Sequence, residues 1–439
     1  MSNLIVIKNK LKNFNKKITV SGDKSLSIRW VLFSSIADGV SKARNLLMSD
    51  DVYAAIDAIK KLGVKVTIKK NFCTIFGNGM NGYKYKKNLV INAQNSGTLG
   101  RLILGLLVNT PTAIKLVGDK SLSKRDFERI TKPLKKFGVT FKLNKNKGLP
   151  LTIKGSNKLK AINYLEDKGS AQCKSSIIFA GMRSTGTTFI KAKKSRNHTE
   201  LLCKYLNLPV NLTTKNNYDF IKVKNVKKIK PLNYNIPSDI SSSAFFMVLT
   251  ALSKKSKLTI KNVNINPSRT GVITILKKMG VIILFKNTKV YKGERIADIH
   301  IKSPGNLKPI NCPKKLNSGA IDEFLVIFLL AAKAKGISNF KDLAELNQKE
   351  SPRLKWGAKI LNEMGIKTIL TNNSIRIFGN PNLEIKKKII IKDYLKDHRV
   401  FMTSIIAALS FGGEWYIHDK DSIKTSFPLF LNIVDSLKK

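Results

Sequence analysis

Acid, arginine and cysteine are all scarce in this chain, and each scarcity excludes something. The 439 residues hold 28 Asp and Glu against 80 Lys and Arg, a formal charge of +52. Four cysteines, Cys73, Cys173, Cys203 and Cys312, lie far apart with no C-x-x-C pair. Neither a disulfide framework nor a zinc site is expected, and a reducing compartment is. No apolar run approaches the roughly 18 residues of a membrane span. The opening MSNLIVIKNKLKNF sets Lys8 and Lys10 directly behind a short apolar stretch, unlike a secretory signal. The expectation is a cytoplasmic protein with no structural metal and no membrane partner. An ordinary 43% of hydrophobic residues speaks against disorder, and the length suggests two or three domains.

So basic a chain invites a nucleic-acid reading, because clustered Lys and Arg release counterions from phosphate backbones. The distribution argues otherwise. Lysines occur in nearly every loop and helix face, there is no basic tail, and aromatics sit mostly inside apolar runs such as Phe245-Phe246 and Phe324 to Phe328. This is the pattern of a lysine-biased solvated surface, with no specific nucleic-acid partner. Arginine is the informative cation: only 12 are present, and each supplies a planar, two-pronged donor where a lysine supplies a point charge.

One local pattern recurs: an amphipathic helix with a basic end, then Leu/Met/Phe-Gly-Val/Ile, then a strand. It reads IDAIKKLGVKVTI from Ile56, ITKPLKKFGVTFKL from Ile130, ITILKKMGVIILF from Ile273 and GAKILNEMGIKTIL from Gly357. A degenerate copy, LLCKYLNLPVNL, starts at Leu201, and the chain ends inside a sixth, FLNIVDSLKK. The markers Gly63, Gly138, Pro209, Gly280 and Gly365 are 75, 71, 71 and 85 residues apart, so six α/β units of about 73 residues would fill the chain. Glycine suits the residue after a helix, where a left-handed conformation lets the chain turn into the strand.

A second helix in each unit starts after small polar residues, and its charge is unusual. Helix N-termini favour Asp or Glu, yet Lys24, Arg101, Lys174, Arg269, Arg353 and Arg399 fall near these starts. One such cation costs only about 0.3 to 1 kcal/mol. Six at repeat-like positions point to helix N-termini gathered around bound anions.

Together these segments resemble the 5-enolpyruvylshikimate-3-phosphate synthase family. SGDKSLSIRWVLFSSIADG is similar to the family's P-G-S-K-S-x-S-x-R opening, and RNLLMSDDVYAAIDAIKKLG to the stretch after it. QNSGTLGRL resembles the N-A-G-T-x-x-R loop, GDKSLSKRDFERITKPLKKFG the G-D-x-S-L-x-x-R-P segment, and GSAQCKSSIIFAG with SRNHTE the region that holds the substrate phosphate. SDISSSAFF, NPSRTG, IDEF, KESPRL, DHRVFM and TSFP then follow in the family's order. GSAQ-x-KS with SRNHTE is closer to the variant subgroup called class II than to the enteric type.

The resemblance implies an inside-out α/β barrel fold of two domains, each with three βαβαββ-like units, helices inside and sheets outside. It places one domain at 21-236 and a discontinuous one at 1-20 plus 237-439, the chain crossing near Ser21 and Pro237, with substrates in the cleft between. The implied reaction transfers the enolpyruvyl group of phosphoenolpyruvate to the 5-hydroxyl of shikimate 3-phosphate by addition and elimination, releasing phosphate. No cofactor is implied, and a monomer is expected.

Residue by residue, Lys24 matches the lysine between both substrates, although alone it would read as a surface lysine at a helix start. Ser25, Arg29, Ser170, Ala171, Gln172, Arg196 and Lys349 match shikimate 3-phosphate contacts. Arg125, Arg353 and Arg399 match the arginines that bind phosphoenolpyruvate, with Asn95, Gly97, Thr98 and Gln172 along that ligand. Asp322 matches the acid at the target hydroxyl, where a helix cap is the plain alternative. Glu350 matches the proton donor to C3, where an ion pair with Arg353 is the alternative. His198 fits a loop-ordering or capping role better than a catalytic one, and His398 stands beside Arg399 with its role open. Departures are Ser21 and Asp23 for Pro and Ser, Ile28 for a common Asn, Pro352 for an acid, and Ser238-Asp239-Ile240 for G-D-P/A. Lys424 is one residue out of register with the family's lysine before T-F-P and is left unassigned.

Two other functions compete, and a third, an inactive binding protein of the same fold, is disfavoured by intact Lys24, Asp322, Glu350 and the arginine trio. UDP-N-acetylglucosamine enolpyruvyl transferase shares fold and donor but places a cysteine acid on a glycine-rich loop, a setting none of these cysteines has. A nucleic-acid-binding protein on a related fold would need a contiguous basic face and steep salt dependence. Gly97, rather than a bulkier residue, leaves room beside the donor site for glyphosate, so glyphosate is expected to compete with phosphoenolpyruvate. A donor KM unchanged in its presence would exclude that.

Overall fold

The computed structural model describes residues 3–70 and 72–438. Among them are four four-stranded and two three-stranded sheets. One plan recurs: a parallel pair, then an antiparallel neighbour, then a hairpin partner at the edge. In one sheet Val90–Asn92 runs parallel to Ile114–Val117, which pairs antiparallel with Leu151–Lys154, itself paired with Thr140–Leu143. The sheets built on Thr187–Lys193 and on Asp38–Arg44 repeat this order. In the four-stranded sheets the sequence repeat is therefore a repeat of sheet topology, and the three-stranded sheets carry part of the plan.

The chain divides into two compact lobes: Gly22–Ile236 with Tyr291–Glu294, and Met1–Ser21 with Pro237–Val290 and Arg295–Lys439. Each has its own apolar core. Chain order is broken where a lobe closes on itself. Asn15–Ile18 pairs with Lys257–Asn264, far along the sequence, and Tyr234–Asn235 returns to Asp38–Arg44. One excursion was not expected from sequence: Tyr291–Glu294, at the turn between strands Ile282–Tyr291 and Glu294–Lys302, belongs to the first lobe.

Two helix types follow from composition. Ile240–Leu252, ISSSAFFMVLTAL, has no charged side chain, and all its residues are buried. Lys24–Ser35, Gly97–Leu106, Ala171–Gly181, Phe324–Lys333 and His398–Phe411 are nearly as enclosed. A helix without a polar face has to be covered all round. The second type is amphipathic with a basic end, as in Asp50–Lys61 and Gly271–Lys278. Sheet strands alternate buried and exposed, as Thr187–Lys193 does, so each sheet turns one face to water.

The helix stops fall one residue beyond each cap, at Gly63, Gly138, Gly280 and Gly365, with φ between 83 and 100°. In the degenerate copy the equivalent is not Pro209. Helix His198–Tyr205 ends at Leu206, and Asn207 takes the left-handed conformation at φ 55°. Asparagine is the residue that best replaces glycine there.

Helices Gly97–Leu106 and Ala171–Gly181 pack closely because Gly105 has no side chain. A Cβ there would lie 2.2 Å from the Ser176 carbonyl oxygen. Gly105→Ala is expected to cost about 1–3 kcal/mol through forced separation of the two helices, seen as a lower midpoint in chemical denaturation.

Candidate active site

In the first lobe the candidate residues gather at the N-terminal turns of three enclosed helices. Asp23, which departs from the family's serine, caps Lys24–Ser35 by accepting from the Leu26 amide at 2.9 Å. Aspartate caps as well as serine does. Lys24 Nζ is 2.9 Å from Asp51. Ser96 caps Gly97–Leu106, and Ser170 caps Ala171–Gly181 by accepting from the Cys173 amide. Gln172 ties the last two helices together: its amide donates to Thr98 Oγ1 at 3.1 Å and its carbonyl accepts from Arg101 Nη1 at 2.5 Å.

Gly97 is buried, and a Cβ on it would come 3.1 Å from Arg125 Nη1 and 3.5 Å from Arg101 Nη1. Its lack of a side chain thus brings two guanidinium groups against one stretch of backbone. Asn95 donates to Asp119, the cap of the short helix Lys120–Ser123, at 2.5 Å.

Arg29 is buried, with its fork held from three sides. Nε donates to Thr199 Oγ1 at 2.8 Å, Nη1 to the Ser25 carbonyl at 3.1 Å and Nη2 to Ser175 Oγ at 3.2 Å. Burial pulls its pKa down to about 10, opposed by Glu200, Asp23 and Glu294, while the charge of Arg196 acts with burial. Arg29 and half-buried Arg196 therefore feel one another's field.

Lys174 does not fit the reading that grouped it with anion-binding cations. It is fully enclosed, with Nζ 2.7 Å from Glu200 and 2.8 Å from Asp219. Burial acts to lower its pKa, but the two carboxylates outweigh this and raise it. Lys174 is an internal strut joining its helix to helix His198–Tyr205 and strand Tyr218–Lys224. His198 is equally buried, its Nδ1 2.6 Å from Glu294.

The second lobe brings acids and arginines together at its own helix starts. Arg269 Nη2 donates to Ser241 Oγ at 2.7 Å and lies 3.5 Å from Asp239, which caps Ile240–Leu252. Ser241 Oγ also bonds Glu323 at the start of Phe324–Lys333. Arg399 Nη1 donates to the Asp322 carbonyl at 2.5 Å and lies 3.7 Å from Glu323.

Arg353 is the centre of this group. It donates to Asp397 at 2.9 and 3.2 Å and to Glu350 at 2.5 Å, and its Nη1 is 3.5 Å from Asp322. Lys349 Nζ is also 3.5 Å from Asp322. Burial alone would lower the Arg353 pKa, but Asp397, Glu350 and Asp322 raise it above the ordinary range. Asp397 is fully buried, accepts from Ser351 Oγ at 2.9 Å and caps His398–Phe411 through the Arg399 amide. His398, on the first turn, has Nδ1 3.3 Å from Thr425 Oγ1. Lys424 is exposed in the short helix Lys420–Thr425.

Sequence reasoning missed Asp51, Asp397 and Glu294. An aspartate directly before a helix start was a readable signal for Asp397; a glutamate in a hairpin carries none. The four thiols are buried, and burial pushes Cys73 and Cys173 up to about 12 and Cys312 to about 11. None resembles an acid poised for proton transfer.

An EPSP synthase (3-phosphoshikimate 1-carboxyvinyltransferase) family model matches residues 8–434. A 3-phosphoshikimate 1-carboxyvinyltransferase of Ruthia magnifica subsp. Calyptogena magnifica is 39% identical over 421 residues, 96% of this chain and 94% of its own. One of Bacillus cytotoxicus is 36% identical over 428 residues, 97% and 98% of the two chains. Among solved structures, EPSP synthase of Acinetobacter baumannii matches at TM-score 0.88 and 36% identity, over 99% of this chain and 98% of that one. The enolpyruvyl transferase NikO of Streptomyces tendae matches at TM-score 0.77 and 13% identity over 100% and 98%, a likeness of fold alone.

The buried charges separate by what their loss does. Lys174→Met strands two buried carboxylates and is expected to cost about 3–5 kcal/mol in chemical denaturation. For Asp397, burial acts to raise the pKa but Arg353 outweighs it, and the folded value lies below the ordinary 3.8. Its ionised form therefore adds stability that is present above about pH 4 and lost as pH falls through the lower folded value. Asp397→Asn is expected to flatten the pH dependence of stability in that acid range.

Proposed function

The chain belongs to the EPSP synthase family and transfers the enolpyruvyl group of phosphoenolpyruvate to shikimate 3-phosphate, and from that premise we propose how its own residues divide the work. The fold is the two-domain enolpyruvyl transferase fold, and the residues named in each lobe serve one reaction. In the first lobe Lys24, Ser25, Arg29, Ser170, Ala171, Gln172 and Arg196 hold shikimate 3-phosphate, with Arg29 suited to the ring carboxylate. Asn95, Gly97, Thr98, Gln172 and Arg125 line phosphoenolpyruvate, and Arg353 and Arg399 are its further arginine ligands.

The chemistry needs two proton movements. The acceptor hydroxyl adds to C2 of phosphoenolpyruvate, losing its proton while C3 gains one, and a tetrahedral ketal phosphate results. Loss of a proton from C3 then breaks the bond between C2 and the phosphate oxygen, giving the enol ether and inorganic phosphate. Asp322 takes the hydroxyl proton, with Lys349 beside it holding substrate hydroxyls. Glu350 delivers and recovers the C3 proton, and Lys24 offsets charge on the bridging oxygen.

The observation that carries this reading is the cluster of Asp322, Glu350 and Lys349 around Arg353. It sets both proposed acid-base groups within ion-pair reach of a guanidinium assigned to the donor. The cysteine-acid alternative is disfavoured by four buried thiols raised by that burial. A cytoplasmic monomer is part of the proposal, by resemblance to the family alone. Among the described residues no helix is long and apolar enough to cross a membrane.

Phosphate release by the purified protein is expected to need phosphoenolpyruvate and shikimate 3-phosphate together, and not to occur with UDP-N-acetylglucosamine. Glu350→Gln is expected to cut kcat by about 100-fold or more with little change in acceptor binding. Retention of most of the rate in that variant would remove Glu350 from the proton-transfer role.

A further inference from the structure

Helix His198–Tyr205 follows directly on Ser195, Arg196 and Asn197, and its first turn is anchored at every residue. His198 Nδ1 bonds Glu294 at 2.6 Å, both side chains being buried. Thr199 accepts from Arg29 and lies 2.7 Å from Ser175. Glu200 pairs with Lys174. Two of these anchors come from helices that the sequence ties to substrate binding. Glu294 comes from the hairpin turn that leaves the second lobe's sequence and joins the first lobe.

That turn docks along one side of the helix. Glu294 meets His198, a Cβ on Gly293 would lie 2.6 Å from the Leu201 carbonyl, and Lys292 Nζ donates to Tyr205 at 2.8 Å. Positions 198, 201 and 205 lie on one helical face. Tyr291 completes the contact by stacking on Tyr234, with centroids 5.6 Å apart, and by accepting from the Asn235 amide. The mechanism above uses neither His198 nor Glu294, yet their contact sits two residues from Arg196. An arginine on a loop binds an anion productively only if the backbone beneath it is fixed.

We propose that Glu294 is a positioning residue for shikimate 3-phosphate: through His198 it fixes the start of the helix and hence the loop that presents Arg196 to the ligand. This rests on the assignment of Arg196 to that substrate. The carboxylate acts through a hydrogen bond it accepts from His198 Nδ1–H, so an amide oxygen of equal reach can replace it and a shorter carboxylate replaces it only in part.

The test compares Glu294→Ala, Glu294→Asp, Glu294→Gln, Lys292→Ala and Arg196→Ala for KM of each substrate, kcat and thermal stability. Glu294→Ala is expected to raise KM for shikimate 3-phosphate about tenfold, with KM for phosphoenolpyruvate and kcat within about twofold. Glu294→Asp should fall between Ala and wild type, and Glu294→Gln should be close to wild type. Lys292→Ala, which loosens the same turn at the far end of the helix, should lower thermal stability without moving either KM. A folded Glu294→Ala variant with unchanged acceptor KM would overturn the proposal, and so would an equal rise in Lys292→Ala. If Glu294→Ala does not fold, Glu294→Asp decides by the same criterion. Failure of Arg196→Ala to raise acceptor KM would instead remove the assignment on which the proposal stands.

Discussion

Helices such as Lys24–Ser35 and Ile240–Leu252 offer water no polar side, so each lobe has to wrap them with other elements along their whole length. The ends are the only parts of such helices left for chemistry. There the first amide groups are unsatisfied and the helix dipole is positive. In both lobes those starts are met by capping aspartates or serines and then crowded with arginine and lysine. The same burial that makes the cores thus leaves the helix starts as the places proposed to bind anions, and the amphipathic helices and sheets serve chiefly to enclose the cores.

Two buried charge groups, one structural and one proposed to be catalytic, look alike at first. Lys174 with Glu200 and Asp219 is closed to water, its one cation answered by two carboxylates. Arg353 also meets several carboxylates, but Asp322 and Glu350 keep part of their side chains exposed, 17 and 20%. Asp397 is the enclosed member that orients the guanidinium, and it caps the helix carrying Arg399. One buried aspartate therefore sets the geometry of two arginines assigned to the same ligand.

Much of this was legible in the chain. Helix stops marked by Gly63, Gly138, Gly280 and Gly365 gave the repeat because a left-handed residue is a local demand that glycine meets most readily. The third stop was misplaced at Pro209 because asparagine meets the same demand less visibly, at Asn207. Motif strings carried the candidate residues, since each is a short run on one helix start. What was hidden depends on tertiary distance. Lys174 looks like any cation near a helix N-terminus until Glu200 and Asp219 arrive from other elements, and nothing near Glu294 in sequence points to His198. The +52 charge, the loudest feature of the composition, said little about the site, where arginine and carboxylate matter more than lysine.

The excursion at Tyr291–Glu294 also limits how the chain can be divided. A gene fragment cut at residues 22 and 236 would encode nearly all of the first lobe, yet omit the ring that stacks on Tyr234 and the carboxylate that meets His198. The lobes are therefore not interchangeable modules. Recombination between relatives that exchanged only the contiguous stretch would pair the helix of one parent with the hairpin turn of another. Residues 198, 201 and 205 and the four residues of the turn have to be inherited as a set, although about ninety positions of sequence separate them.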